Sequence, residues 1–110
     1  MLVEQRTYTT RPGKWREYLE LYEKEGLPVQ LRILGRMVGY YTTEIGGLNQ
    51  IVHMWAYTDL LEREQKRAEL LANEAFREYV QKMLPLLQSQ ESRILKPTRF
   101  FTPQWQETVK

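Results

Sequence analysis

Apolar positions along this chain switch between two periods, and the switches mark out its elements. From Leu2 to Thr10 the side chains alternate as they do on a strand. Leu2, Glu4, Arg6, Tyr8 and Thr10 fall to one side, with Val3, Gln5, Thr7 and Thr9 on the other. Arg11-Pro12-Gly13-Lys14 is a turn that opens a helix, since proline loses no hydrogen bond in a first helical turn. Trp15, Tyr18, Leu19 and Tyr22 then recur at helical spacing. Gly26-Leu27-Pro28 interrupts them before Val29, Leu31, Ile33 and Leu34 resume. The pattern predicts one long helix, kinked or briefly broken near Gly26 and ending by Gly35.

Arg36 to Glu44 reads as a second strand, and Asn49 to Tyr57 as a third. The paired glycines of Ile45-Gly46-Gly47-Leu48 join them in an antiparallel hairpin. Thr58 or Asp59 caps a charged helix that runs to about Ala72, and Asp59 with Glu62 is capping-box-like. Asn73 breaks and recaps the chain. Phe76, Tyr79, Val80, Met83 and Leu87 mark a further helix, closed near Pro85. Gln90 to Leu95 is the last strand, with Glu91, Arg93 and Leu95 on one side. Strand, helix, strand, strand, helix pair, strand is a split βαβ order. It predicts an α+β, ferredoxin-like domain: a four-stranded antiparallel sheet with helices on one face, the first strand beside the third.

The third strand has two unlike faces. Gln50, Val52, Met54 and Ala56 are small and mostly apolar, which suits a surface under helices. Asn49, Ile51, His53, Trp55 and Tyr57 are aromatic and hydrogen-bonding. On this reading the aromatic side is the open face of the sheet. A patch of that size on a monomer marks an interface or a binding site, so a homodimer is expected to cover it. Two sheets face to face would enclose a cavity lined by Arg6, Tyr8, His53, Trp55, Tyr57 and Arg93. Glu4 and Arg6 lie two apart on the first strand, placed either to pair with each other or to leave Arg6 holding an anion.

Composition narrows the chemistry. A chain of 110 residues is one domain. A formal charge of +2, with acids and bases interleaved, argues against a nucleic-acid partner. With no cysteine there are no disulfides and no thiolate chemistry. One histidine gives no metal-ligand spacing, and no cofactor is expected. No apolar run approaches the roughly 20 residues of a membrane helix. No secretory signal pattern is visible, which leaves the cytoplasm as the expected compartment. Residues 98–110 carry Phe100, Phe101 and Trp105 and are read as a tail packed on its own or a partner subunit, after a domain of residues 1–97.

Three stretches carry a family resemblance. The first is E-x-R-x-Y-x-x-x-P-G-K, at Glu4, Arg6, Tyr8, Pro12, Gly13 and Lys14. The second is the block from Gly35 to Tyr57, with its N-x-x-x-H-x-W-x-Y spacing at Asn49, His53, Trp55 and Tyr57. The third comprises Pro85-Leu86-Leu87, Gln90-Glu91 and Arg93-Ile94-Leu95. Together they resemble the NIPSNAP family, which implies a dimeric α+β barrel and little about chemistry.

Three functions fit these residues. One is a homodimeric module binding a small, partly aromatic or anionic molecule, with Glu4, Arg6, Tyr8, Asn49, His53, Trp55, Tyr57 and Arg93 as its contacts. Another is a cofactor-independent, monooxygenase-like enzyme with His53 as general base. In the last, the aromatic face is simply the dimer seam.

Overall fold

A computed structural model describes residues 1–109. Strands β1 (Leu2–Thr10), β2 (Met37–Thr42), β3 (Gln50–Tyr57) and β4 (Leu87–Leu95) form one antiparallel sheet in the order β2-β3-β1-β4. The first and third strands are central, as the element order predicts. Helices α1 (Trp15–Leu21), α2 (Leu27–Leu34), α3 (Leu60–Ala72) and α4 (Glu74–Met83) lie on one face.

The break near Gly26 is a π-helical turn, Tyr22–Gly26, set between α1 and α2. Pro28 has no N–H to close an ordinary helical bond. The ladder slips instead, and the Leu27 amide donates to the Tyr22 carbonyl, five residues back. Gly26 is needed there for close approach: a Cβ would sit 2.8 Å from ring carbons of both Tyr22 and Tyr79. Gly35 ends α2 with φ of 83°, a left-handed cap that glycine takes without strain. Asp59 caps α3, accepting from the Glu62 amide at 2.8 Å, and Asn73 caps α4 through the Phe76 amide at 2.9 Å.

The faces of β3 are reversed from the expected arrangement. Ile51, His53, Trp55 and Tyr57 are at most 1% exposed and lie in the core beneath the helices. Val52 and Met54 face the open side and are half-buried. The reason is volume and pairing together. Large rings bury more apolar surface than Val or Met. The Trp55 indole also finds a partner on its own strand, His53 Nδ1, and Tyr8 and Tyr40 pack their rings on the imidazole.

The segment after β4 crosses the open face. Pro103 is buried, and an apolar groove of about 440 Å³ runs between Val3, Val38, Met54 and Leu95 of the sheet and Phe100 and Phe101 of this segment. At the far edge, two backbone hydrogen bonds of 3.1 and 2.9 Å join Met37 to Gln106. Among the described residues, no helix is long and apolar enough to cross a membrane.

Candidate functional site

Antiparallel pairing of β1 with β3 sets Glu4 opposite Trp55, Arg6 opposite His53 and Tyr8 opposite Ile51. The sheet thereby brings Glu4, Arg6, Tyr8, His53, Trp55 and Tyr57 together under the helices.

Glu4 is fully buried and fully bonded. Its carboxylate accepts from Arg6 Nη1 at 2.8 Å, Arg63 Nε at 2.9 Å, Arg63 Nη2 at 3.0 Å and Ser92 Oγ at 2.6 Å. Burial alone would raise its pKa. The Arg63 and Ser92 hydrogen bonds and the charge of Arg6 outweigh that and hold it at about 2. Arg6 reaches the other way as well, donating from Nε to the Tyr8 hydroxyl at 3.0 Å. The two readings of Glu4 and Arg6 thus resolve into a buried pair, extended by a second arginine from α3.

His53 is held on every side. The Trp55 indole N–H donates to its Nδ1 at 2.8 Å. Tyr40 stacks on the imidazole at 4.8 Å and 17°, and Tyr8 meets it edge-on at 4.8 Å and 84°. Burial, with the positive charge of Arg6, depresses its pKa to about 3, so the ring is neutral near pH 7. A neutral imidazole whose Nδ1 accepts carries its proton on Nε2. That N–H has no partner, and neither does the Tyr57 hydroxyl. Burial, reinforced by the Glu4 charge, pushes Tyr57 up to about 12, which keeps it a phenol. An unsatisfied buried polar group costs about 1–3 kcal/mol. The two groups lie four residues apart on the core face of β3. In this tautomer neither nitrogen of His53 has a free lone pair, so the general-base role has no atom to act through, while the Tyr57 hydroxyl can both donate and accept.

Two expected site residues lie elsewhere. Arg93 pairs with Gln5, whose side chain points to the open face, so it stands across the sheet from Arg6. Asn49 sits at the end of the hairpin turn with φ of 61°. Its backbone carbonyl accepts from the Thr10 amide at 2.8 Å and its side chain from the Gly13 amide at 3.4 Å, so it joins two turns. The seam reading of the aromatic face also fails, because Trp55 is spent inside its own subunit.

Residues that sequence reasoning passed over complete the site. Arg63 sits in a charged run that looks like a solvated helix face, and its partner is 59 residues away. Ser92 is placed by the β1–β4 register, opposite Arg6. Tyr18, Tyr22, Tyr40 and Tyr79 form an aromatic cluster that reaches His53 through Tyr40, with the Tyr18 and Tyr40 hydroxyls 2.9 Å apart. Their recurrence at helical spacing marks Tyr18 and Tyr22 as core, but nothing in it points to His53. Outside this cluster, Leu19, Tyr22, Glu23, Leu27, Met37 and Tyr40 line a groove of about 250 Å³. Among the described residues, no three His, Cys, Asp or Glu side chains converge as a metal site.

Comparison with known proteins agrees with the fold. The NIPSNAP family model matches residues 3–102. A NipSnap homolog 2 from Danio rerio is 34% identical over 99 residues, 89% of this chain and 34% of the relative. The chain thus spans about a third of the length of that curated relative. A crystal structure of a NIPSNAP-like domain protein from Burkholderia xenovorans is 45% identical, with a TM-score of 0.89 over 96% of this chain and 94% of that one. A NIPSNAP family protein from Agrobacterium tumefaciens is 41% identical, also at 0.89, over 91% and 88%. An antibiotic biosynthesis monooxygenase, 15% identical with a TM-score of 0.61 over 89% and 99%, shares the fold alone. A match that runs through both the β1 residues of the buried cluster and the hairpin carrying His53 shows that this chain belongs to the NIPSNAP family.

Proposed function

We propose that this domain is one half of a homodimeric barrel, and that each subunit takes up a small, partly aromatic or anionic molecule between its sheet and its helices. One observation carries the reading: the Nε2–H of His53 and the hydroxyl of Tyr57 are buried donors without partners. They lie within a shell of aromatic rings and arginines, and the native bonding of a core normally leaves few such groups. Rings on three sides suit a flat apolar body. Arg6 and Arg63 hold more positive charge than Glu4 cancels, which suits a negative end.

The dimer is supported by the other side of the sheet. Val38, Val52 and Met54 are only half-buried there, and Phe100 and Phe101 stand exposed beside them. A second copy laid face to face would cover these side chains at once.

The experiment is a native mass spectrum of the protein as purified. The expected result is a dimer of the 13.3 kDa chain carrying additional small mass. A monomer at micromolar concentration would overturn the barrel. A dimer without added mass, and with no thermal shift across a small-molecule library, would overturn the pocket.

A further inference from the structure

The two edges of the sheet are finished differently. At β2 the chain closes its own edge. Met37 and Gln106 exchange backbone hydrogen bonds of 3.1 and 2.9 Å, and the Arg36 guanidinium lies 5.7 Å from the Trp105 ring. At β4, no strand among the described residues pairs on the outer side. Every residue from Gln88 to Leu95 is exposed. That includes Gln90, Ser92 and Ile94 on the helix side, so no helix overhangs this edge. A strand edge with free N–H and C=O groups is a template for another strand.

Such an edge is commonly blunted by a bulge, a proline or charges of one sign. None of these devices stands in the way here. The strand meets no proline before Pro97, and its one register shift against β1 lies at the Thr9/Thr10 end. Its charges, Glu91 and Arg93, have opposite signs and lie two apart on the open face. Across from them on β1 stand Thr7 and Gln5, both neutral. Neither charge makes an ion pair among the described residues.

We propose that the β4 edge pairs with the β4 edge of a second copy of this chain, antiparallel and centred on Ser92. In that register Ser92 meets its own counterpart. Glu91 stands opposite Arg93 of the second copy, and Arg93 opposite Glu91 of the second copy. Side chains directly opposite in an antiparallel pair are about 5 Å apart at their β carbons, where opposite charges attract and like charges repel. Sliding the pair two residues one way sets Glu91 against Glu91. Sliding it the other way sets Arg93 against Arg93. The two signs therefore select one register, and that register is self-complementary, as a two-fold contact between identical chains requires. The two-fold axis runs perpendicular to the sheet, so the helices of both copies stay on one side and the strands join in one continuous sheet.

This contact is separate from the face-to-face dimer proposed above and does not depend on it. The dimer uses Val38, Val52, Met54 and Phe100, whereas the edge uses the backbone of β4 and its two charges. Together the two contacts would join dimers into tetramers. One strand edge buries less surface than a stable interface needs, so the edge contact is weak and fills only at high concentration.

The test is sedimentation equilibrium of the full chain from micromolar to millimolar concentration. The expected result is a doubling of mass as concentration rises, with the doubling weakened by added salt. Glu91→Arg and Arg93→Glu each set like charges opposite one another and are expected to weaken that step about tenfold. The double variant Glu91→Arg/Arg93→Glu restores opposite signs at the same places and is expected to recover the wild-type association to within about twofold. Both positions are exposed, and thermal melts check that each variant is folded. Single variants that associate like the wild type would overturn the proposal. So would a double variant as weak as the singles, or a mass that never doubles up to millimolar concentration. A micromolar dimer that never grows would remove the edge contact and leave the face-to-face dimer. A micromolar monomer that doubles at millimolar concentration, with the expected response to charge, would do the reverse.

Discussion

The two faces of the sheet are built from the same four strands and solve burial in opposite ways. Under the helices, β1 and β3 present Glu4, Arg6, Tyr8, His53, Trp55 and Tyr57, a layer of rings and charges knitted by hydrogen bonds. On the far side the same strands present Val3, Val52 and Met54, covered in part by the segment around Pro103. The first face is specific and polar, and closed within one chain. The second is apolar around Val3, Val38, Val52 and Met54, carries Gln5, Thr7 and Arg93 beside them, and is still half open. The reading proposed above puts ligand binding on the first face and assembly on the second. A face of Val and Met can meet any complementary apolar surface. A buried carboxylate with three bonded partners can exist in only one arrangement.

The comparison can be broken most forcefully at Glu4. Glu4→Gln leaves Arg6 and Arg63 facing a neutral group in a buried setting. We expect a loss of about 3–5 kcal/mol in urea unfolding, as when one partner of a buried pair is removed. Val52→Ala on the other face is expected to cost about 1–2 kcal/mol at most, and a comparable loss at both sites would erase the distinction.

Acid sharpens the same contrast. Glu4 is held at about 2 against an ordinary 4.5, so its contribution is complete above pH 4.5 and is lost as pH falls toward 2. His53 is depressed from 6.5 to about 3, so the unfolded chain takes up its proton first, and stability falls as pH drops from 6.5 toward 3. Each group costs up to about 1.4 kcal/mol per pH unit within its window. Thermal melts from pH 7 down to pH 4 should show a steady decline through the His53 window. His53→Gln should flatten the part of that decline above pH 4.5.

Gly26 tests whether the aromatic cluster is tightly packed. Gly26→Val places carbon 2.8 Å from the Tyr22 and Tyr79 rings, and we expect a cost of about 1–3 kcal/mol with disturbed tyrosine fluorescence. The smallest effect on the fold is expected at Phe100, which is 85% exposed. Phe100→Ser should change monomer stability by no more than about 0.5 kcal/mol. Sedimentation should nevertheless show weaker self-association. An unchanged dimer would remove Phe100 from the interface.

Much of the scaffold was legible before any coordinates. The alternation of β1, the Gly46-Gly47 turn, the Asp59 and Asn73 caps and the disturbance at Gly26 all follow from local rules of turn, cap and period. Strand order followed from element order. The candidate site was half legible: that Glu4, Arg6 and Tyr8 share one face of β1, and His53, Trp55 and Tyr57 one face of β3, follows from strand parity, a local property. Arg63 and Ser92 were not, since contacts 59 and 88 residues apart leave no trace in spacing. Arg93 was misassigned because the parity of β4 relative to β1 depends on register, and a shift of one residue exchanges the faces.

What the residues determined by themselves was which side chains of each strand share a face, because a strand's side-chain period is two whatever surrounds it. What only the tertiary structure decided was which of those faces the helices would cover. That choice depends on summed ring volume, on the rings that α1, α4 and the π turn pack into the same core, and on the bond from Trp55 to His53. The first two come into being only when distant parts of the chain meet.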